Sequence, residues 1–384
     1  MKKILILVLI IILFAFSACA SETQTNSTPV SQPTVRETNE PVEVEENIEE
    51  ESTSEVESTS INNENNDSSM AITGGSTLHP GIYVVGKDIT EGRYLITCTE
   101  SDWGMMVILF ENEDKYGSYM SSERFTIGEE SRAIEQNALV RMEVPEDNSM
   151  FVGLLTGMVL KIENGIGQID ELDNLQNLGS DFTIYPGVYF VGRDINIGRY
   201  VIKCIEANWG MNAIIFENTD KYRAYKSAEK FTVGEEHRAI ELNALVRIEI
   251  QEEESMYVGL ETGMVLIIRN GVGQASLQNE LSESDSEFDL FTGVYFVGRD
   301  INEGRYVITC IESSWSMSII VFEDIDKYRT YISSERFTIG EENQAIEQNA
   351  MLSENIWEGD TLSIRLEDGM VLKVRNGTGT AVLQ

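Results

Sequence analysis

Pro80-Gly81-Ile82-Tyr83-Val84-Val85-Gly86-Lys87-Asp88-Ile89 decides how this chain is read, because the run returns 106 residues later at 186–195 and again after the same interval at 292–301. One module is written three times. A unit of this length is far above the roughly 20–50 residues of a solenoid repeat, which cannot bury a core alone, and lies within the usual size of a domain. The expectation is therefore three beads, each with its own core, over 78–168, 182–274 and 290–384. Linkers at 169–181 and 275–289, rich in Asn, Ser and acids, would leave the beads free to move.

Within the first bead, apolar periodicity predicts strands at 82–85, 92–99, 105–111, 118–127, 138–144, 150–155 and 158–163, with a helical turn as the alternative at 129–137. Thr156-Gly157, Thr262-Gly263 and Asp368-Gly369 read as hairpin turns between alternating flanks, and Asn164-Gly165, Asn270-Gly271 and Asn376-Gly377 close each module's last run. Short strands at regular spacing with turn signals between them predict an all-β chain of three tandem small β-sandwich, jelly-roll-like modules.

The pattern Gly81-x-Tyr83-x-Val85-Gly86-x-Asp88-Ile89-x-x-Gly92-x-Tyr94, repeated at 187–200 and 293–306, resembles a module that recurs in exported proteins and lipoproteins of Gram-positive bacteria. The resemblance implies a small β-rich extracytoplasmic domain and carries no catalytic activity. This chain departs from the pattern at Arg93, Arg199 and Arg305, where Glu is common. Read physically, the motif is a strand, a tight turn and a returning strand. Asp88, Asp194 and Asp300 would accept from amides two residues ahead, while Gly92, Gly198 and Gly304 would supply positive φ.

Met1-Lys2-Lys3, an apolar run over 4–16 and Ser17-Ala18-Cys19 have the order of a secretory leader. The apolar run is shorter than the ~20 residues of a permanent span. Residues 16–19 resemble a bacterial lipobox with Phe16 in place of the usual Leu, so 1–19 reads as a lipoprotein signal peptide. Diacylation of Cys19 would hold the chain on the outer face of the cell membrane. From 20 to 77 aromatics are absent and 13 acids stand against one base, Arg36, so this segment is expected to be a disordered acidic stalk. Such a stalk spans about 40–45 Å as a flexible coil.

With 28 Lys and Arg against 65 Asp and Glu, the net charge of −37 argues against nucleic acid as a partner, since that binding draws on basic residues that displace counterions. Each module has one cysteine, Cys98, Cys204 or Cys310, so no module closes an internal disulfide. In the alternating run Tyr94-x-Ile96-x-Cys98 the thiol falls on the core face.

Three sets of side chains recur and are candidate sites. Trp103, Trp209 and Trp315, together with Tyr116, Tyr222 and Tyr328, would bind a glycan, cell-wall or protein ligand if exposed; burial as core anchors is the preferred reading for the tryptophans. Glu111 and Asp114, Glu217 and Asp220, and Glu323 and Asp326 could contribute oxygens to calcium, although they lack a full calcium-loop spacing, and a solvated hairpin tip is the simpler reading. No cofactor is expected. No Ser-His-Asp set and no histidine recurs per module, which disfavours a hydrolase. The expectation is a monomeric, non-catalytic binding protein anchored through Cys19, with a structural spacer as the alternative.

Overall fold

A computed structural model describes residues 72–172, 181–207, 210–228, 232–278, 287–334 and 338–384. The leader, Cys19 and the stalk as far as residue 71 lie outside the described residues, whereas 72–77, expected as the end of a disordered stalk, are ordered against the first module, with Ile72 bridged to Ile89 and Gly75 N donating to Ile169 O at 2.8 Å. The first module contributes β1 (Ser76–Leu78), β2 (Gly81–Val84), β3 (Gly92–Glu100), β4 (Met105–Phe110), β5 (Ala138–Val144), β6 (Ser149–Leu154), β7 (Val159–Glu163) and β8 (Ile166–Glu171). Its strands lie in the orders β1-β8-β3-β6 and β2-β7-β4-β5. That is the strand order of a jelly roll, in which the chain passes between two four-stranded sheets at every connection except β4 to β5, which are paired neighbours in one sheet.

The second module repeats the plan with β9 (Asp181–Ile184), β10 (Gly187–Phe190), β11 (Gly198–Glu206), β12 (Met211–Phe216), β13 (Val246–Ile250), β14 (Ser255–Leu260), β15 (Val265–Arg269) and β16 (Val272–Gln278). The third has β17 (Glu287–Leu290), β18 (Thr292–Phe296), β19 (Gly304–Glu312), β20 (Met317–Phe322), β21 (Ala350–Ile356), β22 (Thr361–Leu366), β23 (Val371–Arg375) and β24 (Thr378–Leu383). The chain is thus an all-β fold of repeated β-sandwich-like modules, as expected. Within each sandwich the period-two pattern places alternate residues inward: Tyr94, Ile96 and Cys98 are buried along β3, and Cys98, Cys204 and Cys310 are free thiols in the core.

The modules are not separate beads. β6 pairs in parallel with β10, and β14 with β18. One sheet of each module therefore continues into the opposite sheet of the next, giving two eight-stranded sheets flanked by a four-stranded sheet at each end. One hydrophobic cluster joins Phe151 of the first module, the interior of the second, and Ile320, Phe322, Tyr328 and Tyr331 of the third. All described residues belong to one compact unit. The predicted linkers also contain structure, since Ile169 to Glu171 lie in β8 and Ala275 to Gln278 in β16. The aromatic and apolar side chains that strand-by-strand reading assigned to single cores are shared across the repeat boundaries.

The region predicted as a strand at 118–127 is helical at both ends. α1 (Glu113–Met120) and α2 (Ile127–Asn137) lie between β4 and β5. Their copies are α3 (Thr219–Ser227), α4 (Val233–Asn243), α5 (Ile325–Ser333) and α6 (Ile339–Asn349). The Asn112 side chain caps α1 by accepting from Lys115 N at 2.9 Å. Thr126 and Glu129 form a reciprocal capping box at the start of α2, repeated by Thr232 with Glu235 and Thr338 with Glu341. These pairs satisfy amides that a helix start otherwise leaves without partners. Thr156-Gly157 is likewise not a hairpin, because β6 and β7 lie in opposite sheets and the turn carries the chain between them.

Candidate functional site

The repeated motif builds a turn whose polar groups bond within the protein. Asp194 Oδ2 accepts from Phe190 N at 2.9 Å, and Arg193 donates to both carboxylate oxygens at 2.6 and 2.8 Å. Asp300 repeats this with Phe296 N and Arg299, and Asp88 accepts from Val84 N at 2.8 Å. The amide donor thus lies four residues behind the carboxylate, not two ahead as expected. The turn's left-handed residues are Gly86, Gly192 and Gly298, with φ of 88°, 90° and 89°. Among the glycines expected in that role, Gly198 and Gly304 have φ of 149° and 155°, whereas Gly92 has no positive φ. Arg193 and Arg299 also cover the rings of Phe190 and Phe296 at 4.3 and 4.2 Å.

The acids considered for calcium sit at the entries of α1, α3 and α5, not on hairpin tips. Glu111 pairs with Arg223 of the second module at 3.0 Å, and Glu217 with Arg329 of the third at 2.8 Å. Asp220 and Asp326 approach the same two arginines at 4.0 and 3.6 Å. Asp114 and Glu323 are exposed. Among the described residues no three His, Cys, Asp or Glu side chains come together in a metal-binding group. The arrangement joins one module's helix to the next.

Tyr222 and Tyr328 are buried, so they are structural and not surface ligand contacts. The Tyr222 hydroxyl donates to Leu139 O of the preceding module at 2.6 Å, and its ring meets Phe190 and Phe216 edge-on. Burial pushes its phenol pKa far up. Tyr116, which has no module before it, is half-buried. Beside these rings, Tyr119, Tyr225 and Tyr331 donate to Glu130, Glu236 and Glu342 at 2.8, 3.1 and 2.9 Å. Burial, opposed by Arg269, pushes Tyr225 up to about 12.

The tryptophans depart from the preferred reading of burial. Trp103 is 88% exposed and Trp315 81% exposed, and Trp209 lies outside the described residues. In the first module the β3–β4 turn is held from inside by Ser101, whose Oγ accepts from Trp103 N and Gly104 N at 3.2 and 2.6 Å and donates to Asn164 O at 3.0 Å. The backbone is tied down while the indole projects into solvent. Ring stacking is open to such a side chain at little ordering cost, because its loop is already fixed.

Trp357, 59% exposed, was not visible as a site residue because it has no copy in the other modules. β19 and β22 are antiparallel, with Thr309 opposite Thr361. Trp315 follows β19 and Trp357 precedes β22, so both leave the same end of the third module. The exposed apolar side chains Phe125, Ile127 and Ile339 were also missed. They flank the helix caps Thr126 and Thr338, and the capping sequence was the signal that would have placed them at a loop–helix junction.

No family model matches the chain, and no curated protein matches it. Among solved structures, it is similar to a chain described under "Life in the extremes: atomic structure of Sulfolobus Turreted Icosahedral Virus", at 10% identity over 77% of this chain and 79% of that one. The TM-score of 0.20 is too low to carry an argument.

Proposed function

We propose that this is a lipid-anchored extracytoplasmic protein that binds a glycan, cell-wall or protein ligand without catalysis. The observation that carries the reading is the solvent exposure of Trp103 and Trp315 at the same position of the first and third modules. An exposed indole on a loop held in place offers a flat apolar face to a sugar ring or a protein pocket. Three copies in one folded unit would add avidity, because the second and third contacts become intramolecular. The leader ending in Cys19 and the acidic segment after it are the sequence features that favour attachment to the cell membrane.

The test uses the full chain and its Trp103→Ala, Trp209→Ala, Trp315→Ala triple variant against soluble peptidoglycan fragments, a panel of neutral glycans and a panel of surface proteins. Loss of at least one interaction in the variant, with its melting unchanged, supports the reading. Equal binding by both proteins, or none by either, counts against it. For the anchor, Cys19→Ala should move the protein from the membrane fraction to the medium.

A spacer role is the second reading, favoured by the continuity of the sheets through all three modules. Such an array would hold its far end at a set distance from the membrane. Binding by the tryptophans separates the two readings.

A further inference from the structure

The internal junctions depend on two positions of the donor strand. In β6 and β14 these are Phe151 with Gly153 and Tyr257 with Gly259. Phe151 stacks on Tyr189 at 4.2 Å and Tyr257 on Tyr295 at 4.1 Å. The glycines allow the next module's motif turn to come close. A Cβ on Gly153 would overlap Asp194 Oδ1, and one on Gly259 would meet Asp300 Oδ1 at 2.7 Å and Arg299 Nη2 at 2.9 Å.

In β22, the edge strand that would receive a fourth module, the same positions are Ser363 and Arg365. The stacking ring is gone, and a long side chain stands where even a methyl group does not fit. Neighbouring positions change in the same direction. Leu139 and Leu245, buried at the junctions, correspond to exposed Met351, and buried Ile248 corresponds to exposed Glu354. At the other end of the array, β2 keeps Gly81 and Tyr83 on an edge with no strand beyond it among the described residues. Two complementary edges on one chain would make a heterologous contact, which runs on from copy to copy as a filament wherever its rotation does not close a ring.

We propose that Ser363 and Arg365 cap the array, preventing β22 from accepting the β2 edge of a second copy of this chain, and so limit the assembly to three modules. Repeat arrays need such polar end units for solubility, and unpaired edges need blocking against intermolecular pairing. The cap lies at the end of the array farther from Cys19 in the chain, where a second copy would otherwise dock.

The experiment is sedimentation velocity of the full chain and its S363Y/R365G variant across a wide range of concentration. The native chain should remain one species, while the variant should sediment faster as concentration rises. Adding G81V on the β2 edge should reverse that association. A variant that stays monomeric at every concentration would overturn the proposal. A second measurement does not depend on that variant folding: G259R places the blocking side chain in an internal junction. Amide exchange should then show loss of protection in β18, and unchanged protection there would overturn the proposal equally.

Discussion

The ring of Phe151 lies flat against that of Tyr189, with centroids 4.2 Å apart and planes inclined by 9°, although the two residues belong to different modules. Phe151 N also donates to Pro186 O at 2.7 Å, so ring and backbone join the sheets at one point. Tyr257 and Tyr295 repeat the contact with planes inclined by 17°. Phe151→Ala should destabilise the whole described unit by about 3–5 kcal/mol, the usual cost of deleting a buried ring. Urea unfolding followed in modules one and two should shift together. A shift confined to the first module would show that the stack does not couple them.

Close approach at this junction also depends on Gly187, where a Cβ would meet Phe151 O at 2.7 Å. Gly187→Ala should cost about 1–3 kcal/mol, in the range of overpacking. Gly117, whose Cβ would meet nothing within 4 Å, is the contrast. Its alanine variant should be neutral or stabilising, since it sits inside α1. Equal effects at the two sites in chemical denaturation would contradict the packing account.

Asp194 is 2% exposed and bonds to Arg193 and Phe190 N, so Asp194→Ala leaves a cation and an amide without their partner. The expected loss is about 3–5 kcal/mol. Asp88 accepts from Val84 N and follows Lys87, where the other modules have Arg193 and Arg299, so Asp88→Ala should cost about 1 kcal/mol. Thermal or urea melts of the two variants give the comparison, and a larger loss at Asp88 would reverse the account.

Cys98, Cys204 and Cys310 are buried and free, and burial raises the thiol pKa of Cys204 above its ordinary 9.0. Both effects slow thiolate chemistry. Alkylation mapped by mass spectrometry should leave these three sites unmodified in the folded protein and label all of them in denaturant. Labelling at native rates equal to those of an unfolded peptide would contradict their burial.

His237 sits on α4 beside Arg247, with its ring 3.4 Å from the guanidinium. Burial first, and Arg247 second, hold its pKa below the ordinary 6.5, against weaker opposite pulls from Glu236 and Glu249. Because the unfolded chain binds this proton more readily, His237 makes stability fall as pH drops below about 6.5 toward the lower folded value. His237→Ser, which reproduces the first module's Ser131, should flatten that part of the pH profile of unfolding free energy. An unchanged slope would remove His237 as its cause.

Much of the fold was legible because the period of 106 and the alternation around Tyr94, Ile96 and Cys98 report local geometry, which duplication preserves. The helical alternative at 129–137 corresponds to α2, whereas α1 was not read, because it is short and Tyr116, Tyr119 and Phe125 lend its region an aromatic, strand-like composition. Thr126-x-x-Glu129 nevertheless announces a helix start. The junctions were hidden for a different reason. A repeat shows which residues are shared, but the shared Gly187 and Gly293 look like turn residues until β6 and β14 are seen beside them. The differences at Ser363 and Arg365 carry that information. For the site, the recurrence of tryptophan was visible, whereas its exposure depended on where the β3–β4 turn emerges.

Calorimetric unfolding of the full chain tests the continuity of the three modules most directly. Coupled through shared sheets and a shared core, they should melt in one transition whose calorimetric and van't Hoff enthalpies agree. Three independent melts, or a van't Hoff enthalpy near about a third of the calorimetric value as expected for separate equal units, would contradict it.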